Sequence, residues 1–338
     1  MATIADIGEL DLIQRLAEAL PPRGPNVLKG LGDDCAVINA GSEPLLLTTD
    51  QMVEGVHFIL KRTEPGRLAK KLLAVNLSDI AAMGGRPVCA LLDAALPKDT
   101  DLSFWDDFSH ALAEELKFRR LDLVGGDTSS SPGPLVLTMT LLGRGESNRI
   151  IYRSGAQAGD SLFISRPIGD SAAGLSLLER PDLDLDSADR AYLLDSHEIP
   201  MAEEELGPFL ASSGLVTAMI DLSDGLGTDL AHLAGACGLG AEIDAEALPM
   251  SRPARRLARL LDLDPLDWAI GGGEDYALLF TTPPSTADRL AALVRQGLNR
   301  GIFTVGRMIS EPGLRRKSAG GFKPLDRRGY EHFRTPST

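Results

Sequence analysis

Short phrases that join an acidic residue to glycine or to a small hydroxyl residue recur at six places in the sequence, and most of them lie beside an apolar run. The aspartates in these phrases that the ends of neighbouring strands could bring together are Asp33, Asp34, Asp50, Asp79, Asp127, Asp221 and Asp224. Any one phrase is typical of an ordinary turn, because glycine frees the backbone and aspartate caps helices. Their repetition favours a shared site, since strands that lie side by side bring the carboxylates at their ends together.

Carboxylates that lie a few ångströms apart repel one another and raise one another's pKa. A concentrated group of them is therefore most stable with hard cations bound, and ligation by oxygen alone indicates Mg²⁺ rather than zinc. Magnesium held by carboxylates is typical of proteins that handle phosphates. The residues thus predict a magnesium-dependent phosphate site.

The elements that must position these residues follow from the apolar periodicity, which predicts an α/β unit in the first part of the chain. Helices are predicted at 9–20, 66–84 and 102–120, and strands at 43–50, 89–96 and 134–146. A polar turn around Glu146 to Asn148 separates this unit from a second series of strand, turn, strand and helix at 150–178. We therefore predict two domains, at 1–147 and 148–338.

Composition narrows the class of protein. A chain of 338 residues is long enough for two domains of about 150 residues each. The net charge of −14 argues against a nucleic-acid partner, which binds basic surfaces. Cys35, Cys89 and Cys237 form no Cys-x-x-Cys pair, so neither a disulfide framework nor a zinc site is predicted. The N-terminus is polar and acidic and no apolar run reaches about 18 residues, so we expect a cytoplasmic protein without a signal peptide or membrane span.

The familiar phosphate motifs are missing. The sequence has no Gly-Lys-Ser/Thr step and no His-Arg-Asp set, and "GLGDDC" has no third glycine at the dinucleotide spacing. A P-loop protein, a protein kinase and a Rossmann protein are therefore disfavoured.

The phrases do occur in an ordered series that resembles another family. The series is Gly-x-Gly-Asp-Asp, Thr-Thr-Asp-x-x-Val-Glu-Gly-Val-His-Phe, Asn-Leu-Ser-Asp, Gly-Gly-Asp-Thr, Arg-Ser-Gly-Ala, Asp-Leu-Ser-Asp-Gly-Leu and Gly-Gly-Glu-Asp-Tyr, followed by a closing "RGYEHF". It covers almost the whole chain and resembles the thiamine-monophosphate kinases, which share a superfamily with aminoimidazole ribonucleotide synthetase and selenophosphate synthetase. Each motif alone is weak, but the ordered set is specific.

The resemblance implies a fold, a partner and a reaction. The fold would be an N-terminal α/β domain and a C-terminal α+β domain, with a homodimer formed through N-terminal strands that build a shared barrel. The reaction would convert ATP and thiamine monophosphate into ADP and thiamine diphosphate with the help of several Mg²⁺ ions. The acceptor is a phosphate monoester whose second pKa is about 6, so its attacking oxygen is already ionised at neutral pH and no enzymic base is expected.

The resemblance also assigns roles to residues. The metal ligands would be Asp34, Thr48, Thr49, Asp50, Asp79, Asp127, Asp221 and Asp224, with Asp33 a weaker candidate. The ATP-binding residues would be Gly126, Asp127, Arg153 and Ser223, and the residues that touch thiamine phosphate would be His57, Glu274 and Tyr330. The alternatives are structural: turn and cap residues for the aspartates, hydrogen bonds to a neighbouring strand for the two threonines, and a surface ion pair for Arg153.

Two neighbouring phrases fit less well. "IGDSAAGL" at 168–175 is predicted to start a helix capped by Asp170 or Ser171. "EIPMAEEE" at 198–205 stands where members of the family often have a Pro-x-Pro-Arg-like phrase, so acids replace an expected basic residue. The rival functions are another enzyme of the superfamily and a non-catalytic relative that binds metal or nucleotide.

Overall fold

The computed structural model describes residues 9, 11, 13–15, 18, 19, 25–318, 321–325, 329 and 330. Within these residues the strands form one six-stranded and one seven-stranded sheet. The first sheet has the order β1-β2-β3-β6-β4-β5, and its only parallel pair among the described strands is β4 with β5. Its strands are β1 (Val27–Lys29), β2 (Ala36–Ile38), β3 (Leu45–Val53), β4 (Arg86–Pro97), β5 (Asp122–Ser131) and β6 (Val136–Arg144).

Two helices follow the predicted positions closely: α1 spans Pro65–Ala82 and α2 spans Leu102–Arg119. Helix α1 packs on one face of the first sheet, and most of its side chains are buried there. Strand β6 alternates between partly exposed and buried residues, as expected for a sheet with one face in the core. The described residues between 9 and 19 are helical, in agreement with the first predicted helix, whereas Pro21 and Pro22 lie outside the described residues.

The second sheet has the order β13-β12-β9-β11-β7-β10-β8. Its strands are β7 (Ser161–Ile164), β8 (Ala218–Asp221), β9 (Gly240–Asp244), β10 (Leu278–Thr282), β11 (Phe303–Ile309), β12 (Gly313–Ser318) and β13 (Gly321–Pro324). The accompanying helices are α3 (Asp170–Leu178), α4 (Ser187–Glu198), α5 (Leu206–Ser213), α6 (Leu226–Ala236), α7 (Arg252–Leu261), α8 (Pro265–Gly271) and α9 (Ala287–Leu298). The sheets come from separate parts of the chain, and the domain division at 147/148 stays a prediction.

Helix α3 does not begin as its sequence suggests. Gly169 is the N-cap, with φ of 84°, and Asp170 is the first helical residue, so neither Asp170 nor Ser171 is the cap. The carboxylate of Asp275, which is distant in sequence but adjacent in space, takes that role, because it accepts hydrogen bonds from the backbone N–H groups of Gly169 at 2.7 Å and Ser171 at 3.4 Å. The cap comes from a residue more than a hundred positions away, which local sequence does not reveal.

The acidic phrase at 198–205 binds arginines of the same chain. Glu203 is 3% exposed, and its carboxylate accepts hydrogen bonds from both terminal nitrogens of Arg300, at 2.5 and 2.9 Å. Glu204 accepts a 2.9 Å hydrogen bond from Arg119 at the end of α2. These carboxylates therefore stabilise the packing of the fold, which is a physical reason for acids at this place.

Helices of the described part of the chain include none with both the length and the apolar character needed to cross a membrane.

Candidate active site

A cavity of about 890 Å³ lies between residues of both sheets and the helices beside them. It is lined by most of the residues that the sequence singled out: Asp34, Thr48, Thr49, Asp50, His57, Asp79, Arg153, Asp221, Ser223, Asp224, Glu274 and Tyr330. Gly126, Asp127 and Asp33 are not part of this lining. The structure therefore brings together residues that are far apart in sequence, but not the whole predicted set.

Three carboxylates form the centre of the acidic cluster. One oxygen each from Asp34, Asp79 and Asp221 lie within 4.8 Å of one another. Asp34 comes from the turn before β2, Asp79 from the buried side of α1 and Asp221 from the end of β8. The prediction that separate elements bring these aspartates together is confirmed by their positions, while their role as ligands stays a proposal.

Hydroxyl groups hold two of these carboxylates. Ser78, which is fully buried, donates a 2.6 Å hydrogen bond to Oδ2 of Asp221. Thr48 donates a hydrogen bond to Oδ2 of Asp79, and the carboxyl group of Asp50 lies close enough to Asp79 to share a proton with it. Ser78 was not predicted from the sequence, although it stands beside Asp79 in the Asn-Leu-Ser-Asp phrase.

Burial dominates the electrostatics of the cluster. It raises the pKa of Asp34 to about 7, with Asp221 and Asp33 adding to the rise and Arg153 opposing it. Burial likewise raises the pKa of Asp50 to about 6 against the hydrogen bond to Asp79. The pKa of Asp221 rises to about 6 for the same reason, against Ser78 and Arg153. Each shift reflects the cost of placing negative charge in a site with few compensating groups.

The donor set fits a hard divalent cation. Oδ2 of Asp34 is buried and has no hydrogen-bond partner in the described structure, and a buried carboxylate oxygen without a partner is costly. The neighbouring groups are carboxylate and hydroxyl oxygens, which suit Mg²⁺. Asp224 lies on the wall beside Asp221 and is fixed by the buried Asp229, whose carboxylate accepts the backbone N–H groups of Asp224 at 3.2 Å and Gly225 at 3.0 Å.

The two predicted threonine ligands both line the cavity, but their side chains leave β3 on opposite faces of the first sheet. Thr48 is buried and faces α1, whereas Thr49 is exposed, as expected for successive residues of a strand. Thr49 donates to the backbone oxygen of Met139 at 3.2 Å and accepts a 3.1 Å bond from Thr140. Its hydroxyl therefore bonds the neighbouring strand, which was the structural alternative for this residue.

Asp127 lies far from the cluster within one chain. It is exposed on β5, where it pairs across strands with Asp93, Asp93 pairs with Thr138, and Thr138 pairs with Gln51. Cross-strand neighbours share a face, so Asp127 lies on the face of Gln51, opposite to that of Asp50. Three strand spacings of about 4.8 Å separate the two strands, or about 14 Å. The expectation that Asp127 joins the other carboxylates is not met within one chain.

Gly126, which precedes Asp127, stands at a position with no room for a side chain. Its φ is 149°, and a Cβ at this position would lie 1.8 Å from the backbone oxygen of Leu92. The glycine thus allows β5 to pack tightly on β4.

Arg153 and Asp33 form contacts that hold Asp34 in place. Arg153 directs Nη2 to Oδ1 of Asp34 at 2.6 Å and Nε to the same oxygen at 3.2 Å. Asp33 accepts the backbone N–H of Arg153 at 3.1 Å and pairs with Lys29 at 3.3 Å. The side chain of Asp33 therefore orders the loop, and Arg153 is an ion-pair partner of Asp34 that also lines the cavity.

The residues expected to contact thiamine phosphate line the same cavity. Nδ1 of His57 accepts a 3.0 Å hydrogen bond from the backbone N–H of Val53, so the neutral ring carries its proton on Nε2. Glu274 lies opposite Lys71, whose Nζ is 2.8 Å from Oε1. The backbone N–H of Tyr330 donates to the backbone oxygen of Asp224 at 3.1 Å, which holds the end of the described chain against the cavity.

Lys71 and His197 also line the cavity and were missed in the sequence. Lys71 lies on the buried side of α1 among leucines, and only 4% of its side chain is exposed. A lysine on the apolar face of an amphipathic helix is the signal that identifies it, because lysine is rarely buried without a partner. His197 has no comparable signal, since a single histidine on a helix is usually structural.

Comparison with known proteins agrees with this architecture. Residues 32–145 match the family model described as AIR synthase related protein, N-terminal domain, and residues 157–317 match that of the C-terminal domain. The fold and the paired matches define the class as an AIR synthase related protein with two domains.

Comparison with individual proteins identifies a narrower family within this class. The thiamine-monophosphate kinase of Salmonella typhimurium is 38% identical over 331 residues, covering 97% of this chain and 99% of the relative. That of Escherichia coli O157:H7 is 39% identical over 333 residues, with the same coverage. The solved structure of AaThiL complexed with AMPPCP and TMP superposes with a TM-score of 0.86 at 32% identity, covering 98% of this chain and 99% of that one. The chain belongs to the thiamine-monophosphate kinase family, and the predicted two-domain fold is confirmed.

Proposed function

We propose that this chain transfers the γ-phosphoryl group of ATP directly to the phosphate of thiamine monophosphate and so forms thiamine diphosphate and ADP. One observation carries the proposal: a single cavity is lined both by the carboxylate cluster and by His57, Glu274 and Tyr330. The fold that builds this cavity is shared over 98% of the chain with a structure that contains AMPPCP and TMP.

The site needs no general base for this reaction. The phosphate of the acceptor is largely ionised at neutral pH because its second pKa is about 6. His57 has its Nδ1 occupied by the backbone N–H of Val53, so its Nε2–H is a donor to phosphate oxygen. His197 has its pKa lowered to about 4, by burial and by Lys71, and is neutral at pH 7. The protein's contribution is therefore to place the phosphates of ATP and of the acceptor in line with each other and to neutralise their charge.

Cations would be held by Asp34, Asp79 and Asp221, with Asp50 and Asp224 beside them. Bound Mg²⁺ would neutralise phosphate charge as it builds up in the transition state. Arg153, whose pKa stays raised despite burial because Asp34 is beside it, is placed to donate its planar fork to phosphate oxygens when cations share the charge of Asp34. Ser223 lies next to Asp224 on the same wall as a further donor.

A homodimer completes the proposal. Strand β5 is exposed from Asp122 to Ser130 and forms the edge of the first sheet. It carries the half-exposed apolar residues Leu123 and Val124 beside Gly126 and Asp127. An exposed edge strand presents unpaired backbone N–H and C=O groups that favour pairing with another chain, which supports a second copy on this side of the sheet. Such a dimer brings Asp127 to a neighbouring chain.

The remaining parts of the proposal are its compartment and its domain division. Cys35, Cys89 and Cys237 are all free thiols, as expected of an enzyme in the reducing cytoplasm that acts on ATP. We place the metal-binding and dimerising domain at 1–147 and the domain that completes the cavity at 148–338.

Purified chain incubated with ATP, Mg²⁺ and thiamine monophosphate tests the proposal. Chromatography of the thiochrome derivatives should show thiamine diphosphate rising in step with ADP, and the Asp50→Asn variant prepared in the same way controls for contaminating kinases. Product from free thiamine alone, or ADP without thiamine diphosphate, contradicts the proposal.

A further inference from the structure

Lys71 is a buried cation that the chemistry above leaves unused. It belongs to α1, while its partner Glu274 lies in the loop between α8 and β10. Nζ of Lys71 is 2.8 Å from Oε1 of Glu274, a charge-assisted hydrogen bond, and only 4% of the lysine side chain is exposed. A lysine this deep inside a protein is tolerated only with such a partner.

The second oxygen of Glu274 faces His197. Oε2 lies 3.3 Å from Nδ1 of His197, and the same Nδ1 lies 3.0 Å from Oγ of Ser171. A carboxylate only accepts hydrogen bonds, so a neutral His197 must carry its proton on Nδ1 to make a favourable contact there. Oε1 of Glu274 is thus held by Lys71, while Oε2 lies beside the His197 ring.

The backbone of Glu274 is also held in an unusual conformation. Its φ is 62°, and that of Tyr276 is 49°, so two residues with side chains adopt the left-handed region within three positions. The N–H groups of these residues donate to the backbone oxygens of Ser223 at 2.7 Å and Leu222 at 2.8 Å. Strained backbone that is fixed by its surroundings is common at functional sites, and here it turns Glu274 towards the cavity.

We propose that Lys71 is a positioning residue for the acceptor substrate: its ion pair with Glu274 holds that carboxylate in one orientation on the cavity wall. The inference rests on the proposed function and adds to it a residue that acts through Glu274 rather than by touching the phosphates. Held in this way, Glu274 presents a fixed negative group to the cationic thiamine portion of the acceptor.

The charged neighbours give the arrangement a second consequence. Burial alone would raise the pKa of Glu274, but the charge and the hydrogen bond of Lys71 chiefly outweigh it and lower that pKa below its ordinary value. The other ionisable groups that face Glu274 are Tyr276 and Tyr330, whose own pKa values are raised. Removing Lys71 leaves burial as the dominant influence, so Glu274 then takes up a proton at a higher pH than before.

Steady-state kinetics test the proposal with Lys71→Met and a matched control, Lys70→Met. Lys70 is the preceding residue on α1 and pairs with Glu115 at 3.5 Å, outside the cavity. We expect Lys71→Met to raise KM for thiamine monophosphate about tenfold or more, as for loss of a hydrogen bond to a charged group, and to change KM for ATP less than twofold. Lys70→Met should change neither. Equal rises in both KM values would overturn the proposal.

A double variant separates positioning from direct contact with phosphate. If Lys71 acts through Glu274, adding Lys71→Met to Glu274→Gln should change KM for thiamine monophosphate by less than twofold, because the carboxylate it holds is already gone. The double variant also removes both buried charges, so it keeps the test available if Lys71→Met alone folds poorly. A further tenfold loss in the double variant would show that Lys71 contacts substrate itself, and would overturn the proposal.

Carboxyl ¹³C NMR of protein labelled at glutamate tests the same arrangement without substrate, with Glu274→Gln assigning the resonance. The Glu274 resonance should titrate below pH 4.5 in the unmodified and Lys70→Met proteins and at a clearly higher pH in Lys71→Met. An unchanged midpoint refutes the role of Lys71. A shifted midpoint in a protein that makes no thiamine diphosphate refutes the proposed function and keeps the Lys71–Glu274 relationship.

Discussion

Oγ of Ser78 lies 2.6 Å from Oδ2 of Asp221 and joins α1, which packs on the first sheet, to the end of β8 in the second. The two residues are 143 positions apart in sequence. The hydrogen bond lowers the pKa of Asp221 against the larger effect of burial, which raises it. One hydroxyl thus both orients a carboxylate of the cluster and links the two sheets.

Ser78→Ala is expected to weaken metal binding more than folding. Groups that orient a metal ligand typically contribute about tenfold or more to metal affinity. The Mg²⁺ concentration that gives half-maximal activity should rise by that factor, and isothermal titration of Mn²⁺ should show the same loss. The control is Ser212→Ala. The hydroxyl of Ser212 also donates a hydrogen bond, to the backbone oxygen of Phe209, but Ser212 does not line the cavity. An unchanged Mg²⁺ requirement contradicts this role for Ser78.

Asp50→Asn should lower turnover by orders of magnitude while the fold persists. Asp50 lies beside Asp79, and burial raises its pKa to about 6, so its negative charge is unfavourable in the metal-free protein. The melting temperature without Mg²⁺ should therefore stay the same or rise. Asp106→Asn, on the exposed side of α2, is the matched control for loss of one charge. Normal turnover in Asp50→Asn would exclude a metal role for this residue.

The metal-free protein should lose stability as the pH rises. The folded-state pKa values of Asp34, Asp50 and Asp221 are about 7, 6 and 6, above the ordinary aspartate value of about 3.9. Their protonated forms are therefore favoured by folding, and that contribution to the free energy of unfolding is complete below about pH 4 and lost as the pH rises through 6 to 7.

Calorimetry at pH 5.5 and pH 8, with and without Mg²⁺, checks this dependence. We expect Mg²⁺ to raise the melting temperature more at pH 8 than at pH 5.5, because cations compete with protons for the same oxygens. The Asp50→Asn variant should show a shallower decline with pH. A larger effect of Mg²⁺ at pH 5.5 would contradict the assignment of the cluster as the metal site.

Mixed dimers test where Asp127 acts. Because Asp127 lies about 14 Å from β3 and on the opposite face to Asp50, we expect it to work in the site of a second copy. Asp127→Asn and Asp50→Asn homodimers should then both be inactive. Random pairing of the two variants yields one intact site in half of the dimers, or about a quarter of the normal activity. No recovery in the mixture, despite dimer formation, would place Asp127 in its own chain's site.

Tyr330→Ala should raise KM for thiamine monophosphate several-fold and leave KM for ATP nearly unchanged. Tyr330 is 51% exposed on the cavity wall, where its ring can cover the cationic thiamine portion. Such contacts are worth about 0.5 to 2 kcal/mol, or a few-fold to about thirtyfold in affinity. A lowered melting temperature with both KM values unchanged would indicate a structural role. Deletion of Thr335 to Thr338, which lie outside the described residues, should change neither KM value.

Much of the fold could be predicted because its signals are local. The bounds of α1 and α2 differ from the predicted ones by only one or two residues, since apolar periodicity and the glycines after α1 are properties of short segments. The acidic phrases also predicted that Asp34, Asp79 and Asp221 meet, and they do. The family followed from the order of those phrases along the chain, because that order is a property of the sequence and does not depend on the fold.

The tertiary structure decided which of these residues share a site. Strand pairing set the face and the distance of Asp127, and the alternation of β3 turned Thr49 away from Thr48. The same holds for the partners of Glu274: Lys71 precedes it by about two hundred positions, and the contact exists only because α1 packs beneath that loop. Short patterns encode helices, strands and turns, whereas contacts between distant residues depend on strand order, register and packing, which the whole chain determines.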